Sequence, residues 1–339
     1  MTERLPETGH YVLRDDVEII RRSSSLLLFG RRDERTVRAS QGAALLLPLL
    51  RDGADFESLR ASLQAAQPAA LDVGSKLAGF LDALVKSGLL LDGSGEGPDP
   101  RGRRHQYPLF SLDRPAAAAA AVIGLTGRWF GTALAILTAL AAVAAIAGLA
   151  AAGLLPRLPD QVQALHWAGV LLFFLVVAPV HEFAHAVACR LAGQKVGKAG
   201  ILMHGGLIPG PYVDTSQSYR IPGRWQRLMI PAAGPFTDLA AAGAVAAALL
   251  FGDWGAETTV VLQSLLLFCL LYVFFDTNPF TASDGSHCIE ALLEDELARR
   301  HALRAAVPQV TDLGVVAKYR TAMLAWVLVC ALLFAGWWA

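Results

Sequence analysis

Charge is scarce in this chain of 339 residues: Asp, Glu, Lys and Arg together make up 17%, and 29 basic against 29 acidic side chains leave no formal net charge. Without a basic excess nothing draws the molecule to a polyanion, and no nucleic-acid partner is expected. Cysteine is scarcer still. Cys189, Cys269, Cys288 and Cys330 stand far apart and form no CxxC pair, which excludes a disulfide framework and a thiolate zinc ribbon. The first ten residues lack an apolar run, so no signal peptide is read there and the N-terminus is expected in the cytoplasm. An LPETG string at residues 5–9 has no hydrophobic tail after it, which a sortase signal needs, and is read as chance. What abounds is apolar surface: 54% of the chain is hydrophobic, above the level of ordinary soluble domains.

The apolar residues are unevenly placed. Residues 1–92 have the composition of a small soluble domain. Short apolar runs at 17–20, 25–29 and 36–39, divided by Arg-rich turns, read as three strands. Helices are expected at 42–50 behind Ser40, at 56–65 behind Asp55 and at 73–87 behind Asp72. In the last of these Leu77, Phe80, Leu81 and Leu84 recur at helical spacing. The pattern is an α+β unit of winged-helix type. Residues 93–114 form a linker, and 115–339 are membrane-like.

Stretches 129–155, 164–187, 228–251, 258–275 and 321–338 are apolar and long enough to cross a bilayer at 1.5 Å per residue. The chain therefore reads as a polytopic α-helical membrane protein of about five spans with a small N-terminal domain. The run 116–122, followed by Arg128, is too short to span and reads as an interfacial lead-in, while His166 and Trp167 mark an outer interface. Lys and Arg outside the spans number five in 101–128, one in 156–163, six in 190–227, none in 252–257 and five in 299–320. High and low alternate, so the positive-inside rule puts the N-terminal domain, 190–227 and 276–320 in the cytoplasm and the C-terminus outside.

The second span ends in His181-Glu182-Phe183-Ala184-His185, an HExxH motif. On a helix, residues four apart share a face, so His181 and His185 can reach one metal ion while Glu182 lies beside it as general base. Ionisable side chains inside a membrane helix are costly and default to function, and here three fall within five residues. A tetrahedral catalytic zinc needs a third protein ligand and leaves a fourth place to water. Asp284 is the best candidate. It follows the fourth span in Asn278-Pro279-Phe280-Thr281-Ala282-Ser283-Asp284-Gly285, where proline breaks the helix and Asp-Gly turns the chain. His287 is a candidate for a polar place near the metal. Residues 204–214, which include Gly205 and Gly206, are too rich in Gly and Pro for a helix.

With HEFAH, the later NPFTASDG and Gly234-Pro235-Phe236-Thr237-Asp238 at the third span, residues 129–288 resemble the site-2 protease family of intramembrane zinc metalloproteases. The resemblance implies one Zn2+ per chain on His181, His185 and Asp284, with Glu182 as base. It marks Asn278 as a further site residue and 204–214 as a cleft-lining hairpin able to pair with an extended substrate. Asp238 departs from the family, in which many members carry Asn after the Gly-Pro, and both a catalytic and a packing role stay open for it. The N-terminal domain, with Ala39-Ser40-Gln41-Gly42-Ala43-Ala44, Leu50-Arg51-Asp52-Gly53 and Lys86-Ser87-Gly88-Leu89-Leu90, resembles the peptide-recognition domains of ribosomal peptide natural-product pathways, typified by the pyrroloquinoline quinone peptide chaperone. That implies a leader peptide bound as an added strand. A DNA-binding winged helix is the alternative. However, Arg21, Arg22, Arg31, Arg32, Arg35 and Arg38 fall on strands and turns, and a DNA reader would carry them on a recognition helix.

The expected function is intramembrane cleavage of a precursor peptide, with the lipid bilayer and a leader-bearing peptide as partners. Cleavage of a membrane-anchored transcription regulator and a catalytically idle export or immunity role are the alternatives.

Overall fold

The computed structural model describes residues 9–22, 25–31, 35–66, 72–91, 106–204, 208–304 and 312–338. Residues 5–8 of the LPETG string, Arg32, the linker stretch 93–104, and Gly205 and Gly206 lie outside the described residues. The chain divides into two compact units, Met1–His105 with Leu293–Val316, and Gln106–Leu292 with Ala317–Ala339.

In the first unit, strands β1 (His10–Leu13), β2 (Val17–Arg21), β3 (Ser25–Gly30) and β4 (Thr36–Ser40) lead into helix α1 (Leu47–Asp52). Then come β5 (Ala54–Asp55), α2 (Phe56–Ala66), α3 (Val73–Lys86) and β6 (Leu90–Leu91). The three expected strands are β2, β3 and β4, joined as an antiparallel meander. A second small sheet, ordered β5-β1-β6, comes from runs of two to four residues, too short for periodicity to reveal. The helix expected at 42–50 is split into a 3-10 turn (Gln41–Leu45) and α1, because Pro48 is tolerated only in a first turn. Of the three expected caps only Asp55 accepts a main-chain bond, from the Ser58 N–H at 2.7 Å. The Ser40 and Asp72 side chains make no capping bond.

Side chains alternate across β3. Leu26 and Leu28 face a core shared with Leu50, Leu59, Leu77, Leu81 and Leu84. Ser25, Leu27 and Phe29 face the other way, and all three are fully buried. The segment that returns after the second unit reaches this outer face. The Glu296 carboxylate accepts from Ser25 Oγ (2.9 Å) and Arg22 Nε (3.1 Å), and its carbonyl accepts from Arg38 Nη1 (3.2 Å). Asp295, Leu297 and Ala298 are buried with it.

In the second unit, β7 (Gln106–Ser111) precedes α4 (Asp113–Leu125), α5 (Arg128–Ala151) and α6 (Leu158–Gln163). A long helix then runs as α7 (Trp167–Leu172), a π turn (Phe173–Val177) and α8 (Ala178–Leu191). The chain continues with β8 (Lys198–His204), β9 (Ile208–Val213), α9 (Arg224–Phe251), α10 (Ala256–Asp276) and α11 (Asp284–Leu293); α12 (Ala298–Ala302) belongs to the first unit, and α13 (Leu313–Trp338) closes the chain. Among the described residues five helices, Trp129–Ala151, Trp167–Leu191, Arg224–Phe251, Ala256–Asp276 and Leu313–Trp337, are long and apolar enough to cross a membrane. Each overlaps one expected span, although the second continues one turn further, through the residues after the histidines, the third begins one turn earlier and the fifth begins two turns earlier, at Leu313. The stretch 106–111, expected at the end of a linker, is instead β7, which pairs with β8. Gly200 permits that pairing, since a β-carbon there would collide with the Tyr107 carbonyl.

Candidate metal centre

α8 presents His181 and His185 on one face, four residues apart, and both are buried. Each ring is fixed through Nδ1. His181 Nδ1 lies 2.7 Å from Asp238 Oδ2, and His185 Nδ1 lies 2.7 Å from the Ile230 carbonyl, both on α9. A carboxylate and a carbonyl only accept, so both rings carry the proton at Nδ1 and a lone pair at Nε2. α9 contains Pro231 and Pro235, which have no N–H to donate, so the carbonyls of Arg227 and Pro231, four residues before them, lack their usual donor within the helix next to Ile230. Between them Gly234 leaves the space in which the imidazoles sit, for a β-carbon there would collide with Nε2 of both.

The third member comes from the turn after α10. Asn278 Oδ1 accepts the Phe280 N–H at 2.9 Å, and Ser283 Oγ bonds the Asn278 carbonyl. Ser283 and Ser286 then exchange bonds that start α11 (3.1 and 3.2 Å). Tyr319 on α13 holds the turn from behind, with its hydroxyl 2.9 Å from the Pro279 carbonyl. Gly285 is required because a β-carbon would strike the Thr277 main chain. The result places Asp284 Oδ2 3.3 Å from His181 Nε2 and 3.1 Å from His185 Nε2.

The two Nε2 atoms are 3.0 Å apart. With both rings protonated at Nδ1, two lone pairs and a carboxylate oxygen thus converge, an arrangement that repels itself unless a metal ion or a further proton lies between. His181, His185 and Asp284 have ligand atoms that could hold one metal ion. Two imidazoles and one carboxylate, each imidazole backed by an acceptor on its other nitrogen, fit zinc in donor type and in their outer partners.

The remaining candidates separate. Asp238 is wholly buried and orients His181. Glu182 is partly buried, and its Oε2 accepts the Val213 N–H of β9 at 2.9 Å. Asn278 builds the turn and spends its side-chain oxygen on Phe280. His287 bonds Glu290 at 2.9 Å and is not in the metal-binding group. Cys288 is not in that group either, and burial pushes its thiol up to about 12. One residue escaped the sequence reading: Asp276, the last residue of α10, whose Oδ2 is 3.7 Å from His181 Nδ1. With His181 and Asp238 it forms a second possible ligand group, and among the described residues Asp276 Oδ2 and Asp238 Oδ1 are buried without a hydrogen-bond partner. The signal was present, an acid closing an apolar span eight residues before Asp284.

Beside Glu182 lies an open apolar cavity of about 390 Å³ between α8 and the sheet ordered β7-β8-β9, with Val180, Phe183, Pro211 and Tyr212 in its lining.

Residues 168–322 match peptidase family M50, the site-2 protease family of membrane-embedded zinc metalloproteases. The match contains both histidines, Glu182, Asp238, Asp276 and Asp284, and with the five apolar helices it marks a multi-pass membrane protein. No curated protein and no solved structure matches the chain.

Proposed function

We propose that the protein is a zinc-dependent intramembrane endopeptidase that cuts a precursor peptide near the cytoplasmic membrane face, with His181, His185 and Asp284 as ligands of one Zn2+ and Glu182 as general base. The observation that carries this reading is the convergence of two Nε2 lone pairs and one carboxylate on a single point beside a glutamate. A zinc ion held there supplies Lewis acidity to the scissile carbonyl and to the attacking water. Glu182 takes the proton of that water and delivers it to the leaving amine. Asp238 and the Ile230 carbonyl keep both imidazoles in the Nδ1–H form, so Nε2 stays available.

The N-terminal unit, in this reading, binds a leader on the substrate. Its support is the antiparallel meander β2-β3-β4, flanked by α3, a form suited to taking up a further strand. The substrate class follows as a ribosomally made precursor peptide with a leader. A reporter after Trp254 is expected outside the membrane and one after Arg300 inside, from the alternating basic counts. The same side for both would refute the orientation.

The chemistry is tested by metal analysis together with cleavage. Glu182→Gln is expected to retain zinc and lose roughly 100- to 10,000-fold in turnover, because the ligands remain while the proton acceptor is gone. Asp284→Ala is expected to lose the metal. Stoichiometric zinc in Asp284→Ala would take the third ligand away from this carboxylate, with Asp276 the next to test.

A further inference from the structure

The metal centre is rich in acceptors and short of donors. Its two Nε2 lone pairs stand with the carboxylates of Asp284, Glu182, Asp238 and Asp276, and the donors around them are already engaged. The two Nδ1–H groups go to Asp238 and to the Ile230 carbonyl, and the Val213 N–H goes to Glu182. The Thr237 hydroxyl is given to the Gly234 carbonyl (2.8 Å) and the Thr277 hydroxyl to the Val273 carbonyl (2.7 Å). Tyr272 differs. It stands on α10 one turn before Asp276, and residues four apart share a helix face. A tyrosine near the end of a span commonly serves the membrane interface, with its ring among the lipid headgroups. The ring of Tyr272 is instead set edge-on to that of His181 (centroids 5.7 Å apart, planes at 86°) and against the fully buried Phe173 (4.8 Å). The carboxylates of Asp276, Glu182, Asp238 and Asp284 all lie within electrostatic reach of its hydroxyl. Yet among the described residues that hydroxyl has no hydrogen-bond partner, and neither has Asp276 Oδ2 one turn on. A donor left unspent beside so many acceptors is available to a group that arrives with the substrate.

We propose that Tyr272 is a catalytic residue, whose hydroxyl donates a hydrogen bond to the scissile carbonyl oxygen as that oxygen gains negative charge. The inference rests on the protease reading for its reaction. When water adds to the carbonyl carbon, one C–O bond forms and the carbonyl π pair moves onto its oxygen. The proton of the water goes to Glu182, and the tyrosine keeps its own. The new negative charge arises among carboxylates, and each of them raises its cost. A donor aimed at the oxygen offsets that cost more in the transition state than in the ground state, because only then is the acceptor an anion. A neutral hydroxyl also suits the place better than a lysine or an arginine, which the neighbouring carboxylates would draw into ion pairs before any substrate arrived.

The test uses the full-length protein in lipid nanodiscs and a labelled ten-residue peptide of Val, Thr and Leu. A second peptide of the same sequence carries a phosphinate, a tetrahedral anion, in place of its central amide, and its binding is read by fluorescence anisotropy. Tyr272→Phe keeps the ring against Phe173 and His181 and removes only the donor. It is expected to retain stoichiometric zinc by metal analysis and a KM within about twofold of the wild type, to lose about 100-fold in kcat, and to bind the phosphinate more weakly by the same factor. The matching losses are the signature, since a packing role would not single out the tetrahedral anion. An unchanged kcat, a fall in kcat at unchanged phosphinate affinity, or loss of zinc in Tyr272→Phe would overturn the proposal. A wild type that cleaves nothing but binds the phosphinate, with that binding weakened in Tyr272→Phe, would uphold the hydroxyl as a donor to the anion and refute the protease reading instead.

Discussion

At the scale of single residues the centre is organised by what stands behind the ligands. His181 and His185 would be ordinary imidazoles, free to present either nitrogen, without Asp238 and the Ile230 carbonyl at 2.7 Å. Removing such an outer partner typically lowers metal affinity 10- to 100-fold while leaving the ligands in place. Asp238→Ala is therefore expected to weaken zinc binding by that factor, and Asp238→Asn by less, since its amide oxygen still accepts. Gly234→Ala is expected to lose zinc without losing the fold, because the added methyl enters the space of both imidazoles and not of the helix packing. Competition with a chelating dye measures all three, and an unchanged zinc affinity in Asp238→Ala would remove its orienting role. His181, Glu182, His185 and Asp284 were legible because helical spacing and a Pro-to-Asp-Gly turn are local patterns. The part played by Asp238 was not, since it depends on a contact 57 positions away. Asp276 was overlooked although its place at the end of an apolar span flagged it.

Elements were legible in proportion to their length. The five long apolar helices could be read from composition because each satisfies its own main chain, whatever surrounds it. Strands β2, β3 and β4 could be read because each is an apolar run closed by a turn. β7 could not. Its exposed Tyr107, Leu109 and Phe110 follow a polar linker, and only pairing with β8, some 90 positions on, makes a strand of them. The irregular helices gather at the centre. A π turn followed by Pro179 precedes the histidines, and Pro231 and Pro235 stand on either side of Gly234 opposite them. Neither interruption would be tolerated on a lipid-exposed helix without compensation, and α9 serves the site through the Ile230 carbonyl offered to His185 and the space left by Gly234.

At the scale of the whole molecule, the N-terminal unit is not closed by its own first 105 residues. Leu27 and Phe29 on the outer face of β3 are fully buried, and the segment that shares this face through Glu296 begins where α11, the helix opened by Asp284, ends. Burying a Leu or a Phe contributes about 1.5–3 kcal/mol each, so deletion of residues 1–91 costs the returning segment its cover and its Arg22 and Ser25 partners together. Such a deletion is a poor test of leader capture, since it is expected to lower the Tm and to depress cleavage of leader-bearing and leaderless substrates alike. Shortening the substrate separates the two roles. Without its leader the peptide loses its tether, which otherwise holds the cleavage site at an effective concentration of about a millimolar, so KM is expected to rise strongly at unchanged kcat. The intact enzyme is used throughout. A KM that does not move on leader removal would leave the N-terminal unit as a support for residues 293–316 and nothing more, and a fall in kcat at constant KM would place its effect on the cleavage step.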